Sequence, residues 1–198
     1  MATVTNQKKQ SSTGYSYKPG QLYKDTFDGI LAGYIEGVKK RLGNSNEVTL
    51  KDIESVSDVD PNMLEMYYKN TFSIVNEVII SLQSIIQQAT KDAAHLDGES
   101  AIRNLLTLLS KEPMMLKALK AAGRTDFWVA NLQYFIQAIS NWDKTDEKAW
   151  LDIYDIYCYQ FKQIITKWGE ENYAVEVIPL YANRLWAWIQ VDGEILGL

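Results

Sequence analysis

The sequence predicts an all-α protein of about nine helices, with a small N-terminal three-helix head joined to a larger C-terminal helical bundle. Beyond residue 20, apolar residues recur three or four positions apart through almost the whole chain, which is the period of an amphipathic helix. No stretch of useful length alternates apolar and polar residues as a half-buried strand would. Three short helical segments precede the first long one, and this order favours a head followed by a bundle.

Residues 1–20 are polar, end at Pro19-Gly20 and are expected to form a flexible arm. The first helical pattern begins at Gln21 and closes at Gly43-Asn44, a pair typical of a helix C-terminus. Within this segment three glycines recur at four-residue spacing, where they either permit close packing or lower the stability of the helix. They are Gly29, Gly33 and Gly37.

Two short helices separated by a tight turn are predicted next. Thr49 is a good N-cap for the first, with Asp52 three residues later as in a capping box. Asp60 and Pro61 begin the second, as N-cap and first helical residue. Val59 is expected to fill the corner between the two helices. The other side chains expected to face inward are Ile53, Val56, Met63, Leu64 and Tyr67.

This arrangement is that of a helix-turn-helix motif, in which the N-terminal half of the second helix faces the major groove of DNA. Here that half contains Pro61, Asn62 and Met63. The sequence therefore predicts a DNA-facing surface in the first third of the chain.

The rest of the chain is also predicted to be helical. The expected helix starts are, in order, Asn70-Thr71, Ser100, Pro113 and Thr125-Asp126, followed by helices at about 148–168 and about 179–190. The helix after Thr125-Asp126 is expected to run unbroken to Trp142, and Pro179 is expected either to start or to kink the last helix.

The net charge of −5 is unevenly distributed along the chain. Residues 1–48 carry seven basic and four acidic side chains, a net of +3, whereas residues 49–81 and the remainder each carry −4. A basic leading segment on an acidic body is an asymmetry compatible with nucleic-acid contact through the N-terminal part alone.

The sequence offers little for catalysis, and neither an enzyme activity, a metal nor a cofactor is expected. His95 is the only histidine, which removes most catalytic triads and most metal sites. Its spacing from Asp92 resembles a metal pair but lacks the glutamates and second histidine of a helical di-metal site, so His95 is expected to be solvated near a helix end. Cys158 lies on an apolar stripe and is expected to be a buried small hydrophobe.

The single cysteine excludes an internal disulfide and fits a reducing cytoplasm. No apolar stretch is long enough to span a membrane, and the N-terminus lacks the pattern of a secretory signal. A cytoplasmic protein without membrane contact is expected.

The segment 49–75, TLKDIESVSDVDPNMLEMYYKNTFSIV, resembles the tetracycline-repressor-like (TetR/AcrR) family, whose pattern is T-x-x-D-I-A-x-x-A-G-V-S-x-x-x-L-Y-x-Y-F-x-x-K-x-x-L. The positions that match directly or conservatively are Thr49, Asp52, Ile53, Val59, Leu64, Tyr67 and Ile74, with Tyr68 in place of the usual Phe. The positions that depart from the pattern are Glu54, Asp58, Asp60, Glu65 and Thr71. Glu65 and Thr71 each remove a DNA contact that the pattern implies.

The resemblance implies a DNA-binding set within a helix-turn-helix domain at 21–70. In this set Thr49 would donate to a phosphate, Asn62 would pair with adenine, and Tyr67 and Lys69 would contact the DNA backbone. The full set is Thr49, Lys51, Pro61, Asn62, Met63, Tyr67 and Lys69. The alternative for the two tyrosines, Tyr67 and Tyr68, is core packing.

Residues 71–198 would form a domain for ligand binding and dimerisation, as the resemblance implies. A pocket for a small apolar or aromatic effector would be lined by Met114, Met115, Phe127, Trp128, Tyr134, Phe135 and Trp150. The alternative is that these aromatic stripes are core and interface. The last two helices would pair with their copies in a homodimer, with one of Trp186 and Trp188 inside the monomer and the other at the partner.

Together these expectations describe a regulator that binds palindromic operator DNA as a dimer and changes its affinity when an effector binds. The alternative is a degenerate head that does not bind DNA and acts through a protein partner.

Overall fold

The computed structural model describes residues 19–124, 126–140 and 147–195, with side chains for 24–124, 126–140 and 154–190. This part of the chain forms ten α-helices and no strand, so the predicted all-α class is confirmed. The helices are α1 (Pro19–Lys40), α2 (Leu50–Glu54), α3 (Pro61–Tyr67), α4 (Thr71–Ala93), α5 (Gly98–Leu109), α6 (Pro113–Ala121), α7 (Asp126–Asn131), α8 (Gln133–Ser140), α9 (Glu147–Glu170) and α10 (Ile178–Ile195). Single 3-10 turns lie at Ser45–Glu47 and Val175–Val177.

The first helix is as long as its apolar pattern in the sequence and is not a short helix. α1 has 22 residues and α4 has 23, so the expectation of three short helices before a long one is wrong for the first of them. α1 also begins at Pro19, inside the predicted arm, because proline at the first helical position has no N–H to leave unpaired. Residues 1–18 of that arm lie outside the described residues.

The glycines of α1 allow α2 to pack closely against it. A Cβ atom on Gly33 would lie 2.7 Å from Ile53 Cγ2, and one on Gly37 would lie 3.0 Å from Val48 Cγ1. Ile53 is fully buried in this contact. Of the two roles left open for these glycines, the structure therefore supports close packing.

The helix starts around α2, α3 and α4 follow the capping residues seen in the sequence. Thr49 and Asp52 form a complete capping box at α2. Asp60 accepts a hydrogen bond from the Asn62 N–H at the start of α3, and Asn70 accepts one from the Ser73 N–H at the start of α4. These local signals were sufficient because each bond joins residues only two or three positions apart.

The long helix α4 is the centre of the described fold. It packs against α5, α6, α7 and α8, while α10 packs along α5 and α9 lies against α7 and α8. α1 packs against α6, where Lys24 Nζ lies 2.9 Å from Glu112 Oε1 and 2.9 Å from the carbonyl oxygen of Lys111. The division of the chain into domains at 21–70 and 71–198 stays a prediction.

Two helices replace the single one predicted after Thr125-Asp126. α7 ends at Asn131 and α8 begins at Gln133. The Asn131 amide donates to the carbonyl of Phe127 at 2.7 Å, and the Tyr154 hydroxyl donates to the carbonyl of Val129. Side chains thus bind the carbonyls that the helix backbone uses at this point, which interrupts the helix. Thr125 and Trp142 lie outside the described residues.

Two further starts are settled by the structure. α5 begins at Gly98 rather than at Ser100, because the side chain of Asp97 accepts a hydrogen bond from the Ser100 N–H and so caps the helix earlier. Pro179 is the second residue of α10, so it belongs to the start of this helix and does not kink it.

Candidate nucleic-acid interface

The side of α3 that faces away from the protein carries Asn62 and Met66. Leu64 is the fully buried residue of α3 and anchors the helix to the core. At about 100° per residue, Asn62 and Met66 lie one turn apart on the opposite side. Asn62 is exposed, and Met66 is 68% exposed. This face is therefore open to a partner and combines one amide with one long apolar side chain.

The residues predicted to contact DNA lie at the surface, with one partial exception. Met63 is half-buried, whereas the others are exposed, namely Thr49, Lys51, Pro61, Asn62, Tyr67 and Lys69. Their role as DNA contacts stays a prediction.

The expectation that Tyr67 faces inward is wrong, because its side chain is 59% exposed. Tyr68 instead lies in the core, where its hydroxyl donates to Glu77 Oε2 at 2.7 Å, so the core alternative holds for Tyr68 alone. Val56 and Met63 are also expected to face inward but are only half-buried, and the residues that α2 and α3 bury fully are Ile53 and Leu64. Val59 does pack inward, with Cγ2 next to Gly29 of α1.

Sequence reasoning missed Met66 and Phe72. Both are 68% exposed, Met66 on α3 and Phe72 in the first turn of α4. The spacing of Met66, four residues after Asn62, was the available signal, because residues four apart share a helix face. Nothing local in the sequence marks Phe72 as exposed.

The capping box at α2 engages the hydroxyl of Thr49. Asp52 Oδ2 accepts from the Thr49 N–H and from the Thr49 hydroxyl, both at 2.8 Å. Asp52 Oδ1 accepts from the Arg41 guanidinium at 2.8 Å. These hydrogen bonds lower the pKa of Asp52 to about 2. Thr49 can therefore donate its hydroxyl proton to a phosphate only by giving up the bond to Asp52.

The cations between the end of α1 and the start of α4 divide into paired and unpaired groups. Arg41 is paired with Asp52, and Lys39 is paired with Glu36. Among the described residues, Lys40, Lys51 and Lys69 are exposed and have no carboxylate within ion-pair distance. The exposed carboxylates around α3 belong to Asp58, Asp60 and Glu65. This surface has few free positive charges, and negative charges lie between them.

The residues predicted to line an effector pocket differ in burial, and their role in binding an effector stays a prediction. Phe127, Trp128 and Phe135 are buried core residues, with edge-to-face ring contacts of Phe127 to Trp128 and of Phe135 to Phe161. Met114 and Met115 are half-buried on α6. Tyr134 is 73% exposed, and the side chain of Trp150 lies outside the described ones.

Tyr134 lines a surface cleft of about 400 Å³ between α4 and the α7–α8 pair. Gln83 donates to Asn131 at 2.8 Å across this cleft. Its other lining residues are Ile86, Gln87, Thr90, Lys91 and Ala130. A smaller cleft of about 190 Å³ lies where α1, α4 and the end of α6 meet, lined in part by Tyr34, Phe72 and Arg124.

Within the described part of the chain, no three His, Cys, Asp or Glu side chains are grouped so as to hold a metal ion. Cys158 is fully buried, as expected, and burial raises the pKa of its thiol to about 11. His95 is exposed beyond the end of α4, also as expected. None of the described helices is long and apolar enough to cross a membrane.

Comparison with protein-family models, with curated proteins and with solved structures finds no match for this chain. The resemblance to the TetR-like pattern therefore depends on residues 49–75 alone, and membership of that family stays a prediction.

Proposed function

We propose that the chain is a TetR-like transcriptional regulator that binds palindromic operator DNA as a homodimer and changes its affinity on binding a small apolar or aromatic effector. One observation carries the proposal: α3 is anchored through Leu64 while its opposite face, with Asn62 and Met66, is open to solvent. A short helix held in this way is suited to enter the major groove. α2 lies behind it and is held to α1 through Ile53.

The outer sides of α9 and α10 support the dimer. On α9, Ile156 and Tyr159 are exposed three residues apart, and the same side continues through the uncharged Gln163 and Thr166 before the exposed Lys167 and Glu170. On α10, Leu180 is 60% exposed, and the exposed Arg184 lies one turn further along the same side. Exposed apolar side chains on neighbouring helices are typical of an interface between copies.

The packing of α10 is compatible with the proposed division of its tryptophans. Trp186 packs on Gly98 so closely that a Cβ there would lie 2.1 Å from Trp186 Cζ3. This contact makes Trp186 the candidate for the tryptophan held within the monomer. Trp188 is half-buried like Trp186 and also packs against the core, and we propose that its exposed part contacts a partner copy.

The effector would act by favouring one arrangement of the bundle and so changing the separation of the two α3 helices. The cleft beside Tyr134 is of a size that suits a small molecule. The Lys24–Glu112 ion pair and the packing of α1 on α6 supply a route by which a shift in α6 would move the head.

Mobility shift with genomic DNA fragments tests the proposal. At 50 mM salt (about the low end of the range where phosphate contacts are strong) a shift is expected. Among the described residues, Lys40, Lys51 and Lys69 are the unpaired cations between the end of α1 and the start of α4, so through them two heads would neutralise about six phosphates. The logarithm of the affinity should then fall against the logarithm of salt with a slope of about −5.

Asn62→Ala is expected to weaken binding to the preferred fragment by about ten-fold, because the two hydrogen bonds from its amide to one adenine are lost. Gln88→Ala is the matched control, because this exposed amide lies about 25 Å along α4 from its N-terminus and bonds only its own helix, at Asp92. Absence of a shift on every fragment would end the proposal.

A second candidate is a head that contacts a protein instead of DNA. The observation that favours it is the surface around α3, where the carboxylates of Asp58, Asp60 and Glu65 are exposed together with the apolar side chain of Met66. Such a surface repels phosphate and suits a partner with apolar and basic groups. A folded, dimeric protein that shifts no DNA at low salt would favour this candidate.

A further inference from the structure

Asn62 and Met66, on the outward side of α3, differ in the base edges that they can contact. Asn62 carries an amide, which can form two hydrogen bonds to adenine. Met66 has no hydrogen-bond donor and is a flexible apolar chain. In the major groove the C5-methyl group of thymine is the apolar feature that separates one base pair from another. The chemistry of Met66 therefore matches thymine.

The spacing of the two residues also fits neighbouring base pairs. Side chains four apart on a helix have Cβ atoms about 6 Å from each other. Successive bases on a strand are about 3.4 Å apart along the helix axis. Asn62 and Met66 can thus reach bases one or two steps apart in the same groove.

The charge around α3 makes such an apolar contact important. Lys51 and Lys69 are exposed near α3, but Asp60 and Glu65 are exposed there too. Phosphate neutralisation contributes most of the non-specific affinity of DNA-binding proteins, and the described residues around α3 supply little of it. A larger share of the binding must come from direct contacts to base edges, and Met66 is the largest exposed apolar side chain on the outward side.

We infer that Met66 contacts a thymine methyl group in each half-site, and that Asn62 forms two hydrogen bonds to an adenine one or two steps from that thymine. This inference rests on the proposed function and specifies its DNA. Each half-site contains an adenine and a thymine one or two steps apart, and the thymine methyl group is required for full affinity.

Replacement of thymine by uracil tests the inference, since it removes only the methyl group. The full-length protein is first used to select its preferred fragment, and each thymine is then replaced singly. In each half-site, replacement of one particular thymine is expected to lower the affinity about four-fold, because one methyl group is no longer buried. Replacing the equivalent thymine in both half-sites should cost about fifteen-fold.

Met66→Ala is expected to remove the sensitivity to uracil at that position, whereas Met66→Leu is expected to keep it. Asn62→Ala should weaken binding and leave the sensitivity in place. A pair of changes, one in the protein and one in the DNA, isolates the contact between them. Circular dichroism of each variant checks that the fold is retained, which the exposure of Met66 leads us to expect.

The outcomes separate the two proposals. DNA binding that is unaffected by uracil at every thymine, or a uracil effect that Met66→Ala leaves unchanged, overturns the inference and leaves the regulator intact. Failure to bind any fragment overturns the proposed function and the inference with it.

Discussion

At the scale of single residues, the carboxylate of Asp52 accepts three hydrogen bonds from two residues, Thr49 and Arg41. Two come from the backbone and hydroxyl of Thr49, and one comes from Arg41, which lies beyond the end of α1. The cap of α2 and the attachment of α2 to the preceding helix thus depend on one ionised group. Thr49 and Asp52 were recognisable in the sequence as a capping box, but the pairing with Arg41 was not.

This arrangement predicts a pH dependence of stability. The pKa of Asp52 falls from 3.8 to about 2 on folding, so its carboxylate stabilises the fold above pH 3.8. That contribution is lost as the pH falls towards 2. Asp52→Asn should lower the free energy of unfolding by about 1 kcal/mol at pH 7, and the difference from the original protein should shrink towards pH 3.

Urea unfolding between pH 3 and pH 7 measures this difference. Asp58→Asn is the control, since it removes the same charge from the neighbouring turn, where the side chain of Asp58 is exposed. A difference that stays constant over the whole pH range would show that the charge of Asp52 is not the cause.

Tyr67 and Tyr68 show a limit of sequence reasoning at this scale. They are adjacent, chemically identical and both near the end of α3, yet one is exposed and the other is buried against α4 with a bond to Glu77. Which of them is buried depends on which side chain faces α4 once the helices pack, and no local signal decides that.

At the scale of elements, the contact between α1 and α2 depends on the absence of side chains. The Cβ of an alanine at Gly33 would meet Ile53 Cγ2 at 2.7 Å, Ser57 Cβ at 3.0 Å and the carbonyl oxygen of Ile53 at 3.3 Å. Two of these three atoms belong to backbone or to a short side chain, so the helices themselves would have to separate.

Two substitutions in the same helix separate packing from helix propensity. Gly33→Ala should destabilise the protein by about 1–2 kcal/mol, because overpacking outweighs the gain of about 1 kcal/mol in propensity. Gly29→Ala should be neutral or stabilising by up to about 1 kcal/mol, since its Cβ meets Val59 Cγ2 at an ordinary 3.4 Å.

Thermal or urea unfolding of the two variants provides the measurement. Equal effects of the two substitutions would contradict the close approach of α2 to α1 at Gly33. The four-residue spacing of these glycines was visible in the sequence, but whether they mark a contact or a weak helix was not, since both uses have the same pattern.

At the scale of the whole molecule, the proposed dimer can be tested separately from DNA binding. Leu180→Glu places a charge at the exposed apolar residue of α10 and should raise the dissociation constant at least ten-fold, because a charge in an apolar interface loses its hydration. Ile80→Glu is the matched control, as Ile80 is 55% exposed but lies on α4.

Sedimentation at micromolar concentration distinguishes the species. The unmodified protein and Ile80→Glu should both be dimeric, and Leu180→Glu should be largely monomeric. A monomeric unmodified protein would contradict the dimer, and a dimeric Leu180→Glu variant would show that the interface lies elsewhere.

The aromatic residues of the C-terminal half show what only the assembled molecule decides. Phe127, Trp128, Phe135 and Tyr134 have similar sequence surroundings, yet the first three are buried and Tyr134 lines an open cleft. The sequence could name them as a group rich in aromatic area, but it could not divide them between core and pocket.

Local order was determined by the sequence alone: the all-α class, the start of most helices, and the caps at Thr49, Asp60 and Asn70. Each depends on hydrogen bonds or apolar spacing within about four residues, so the pattern is complete in a short segment. The tertiary structure decided which faces are covered. Lys24 meets Glu112 and Trp186 covers Gly98 across more than eighty residues of chain. No local pattern contains such pairs, because burial of a side chain depends on neighbours brought to it only when the helices pack together.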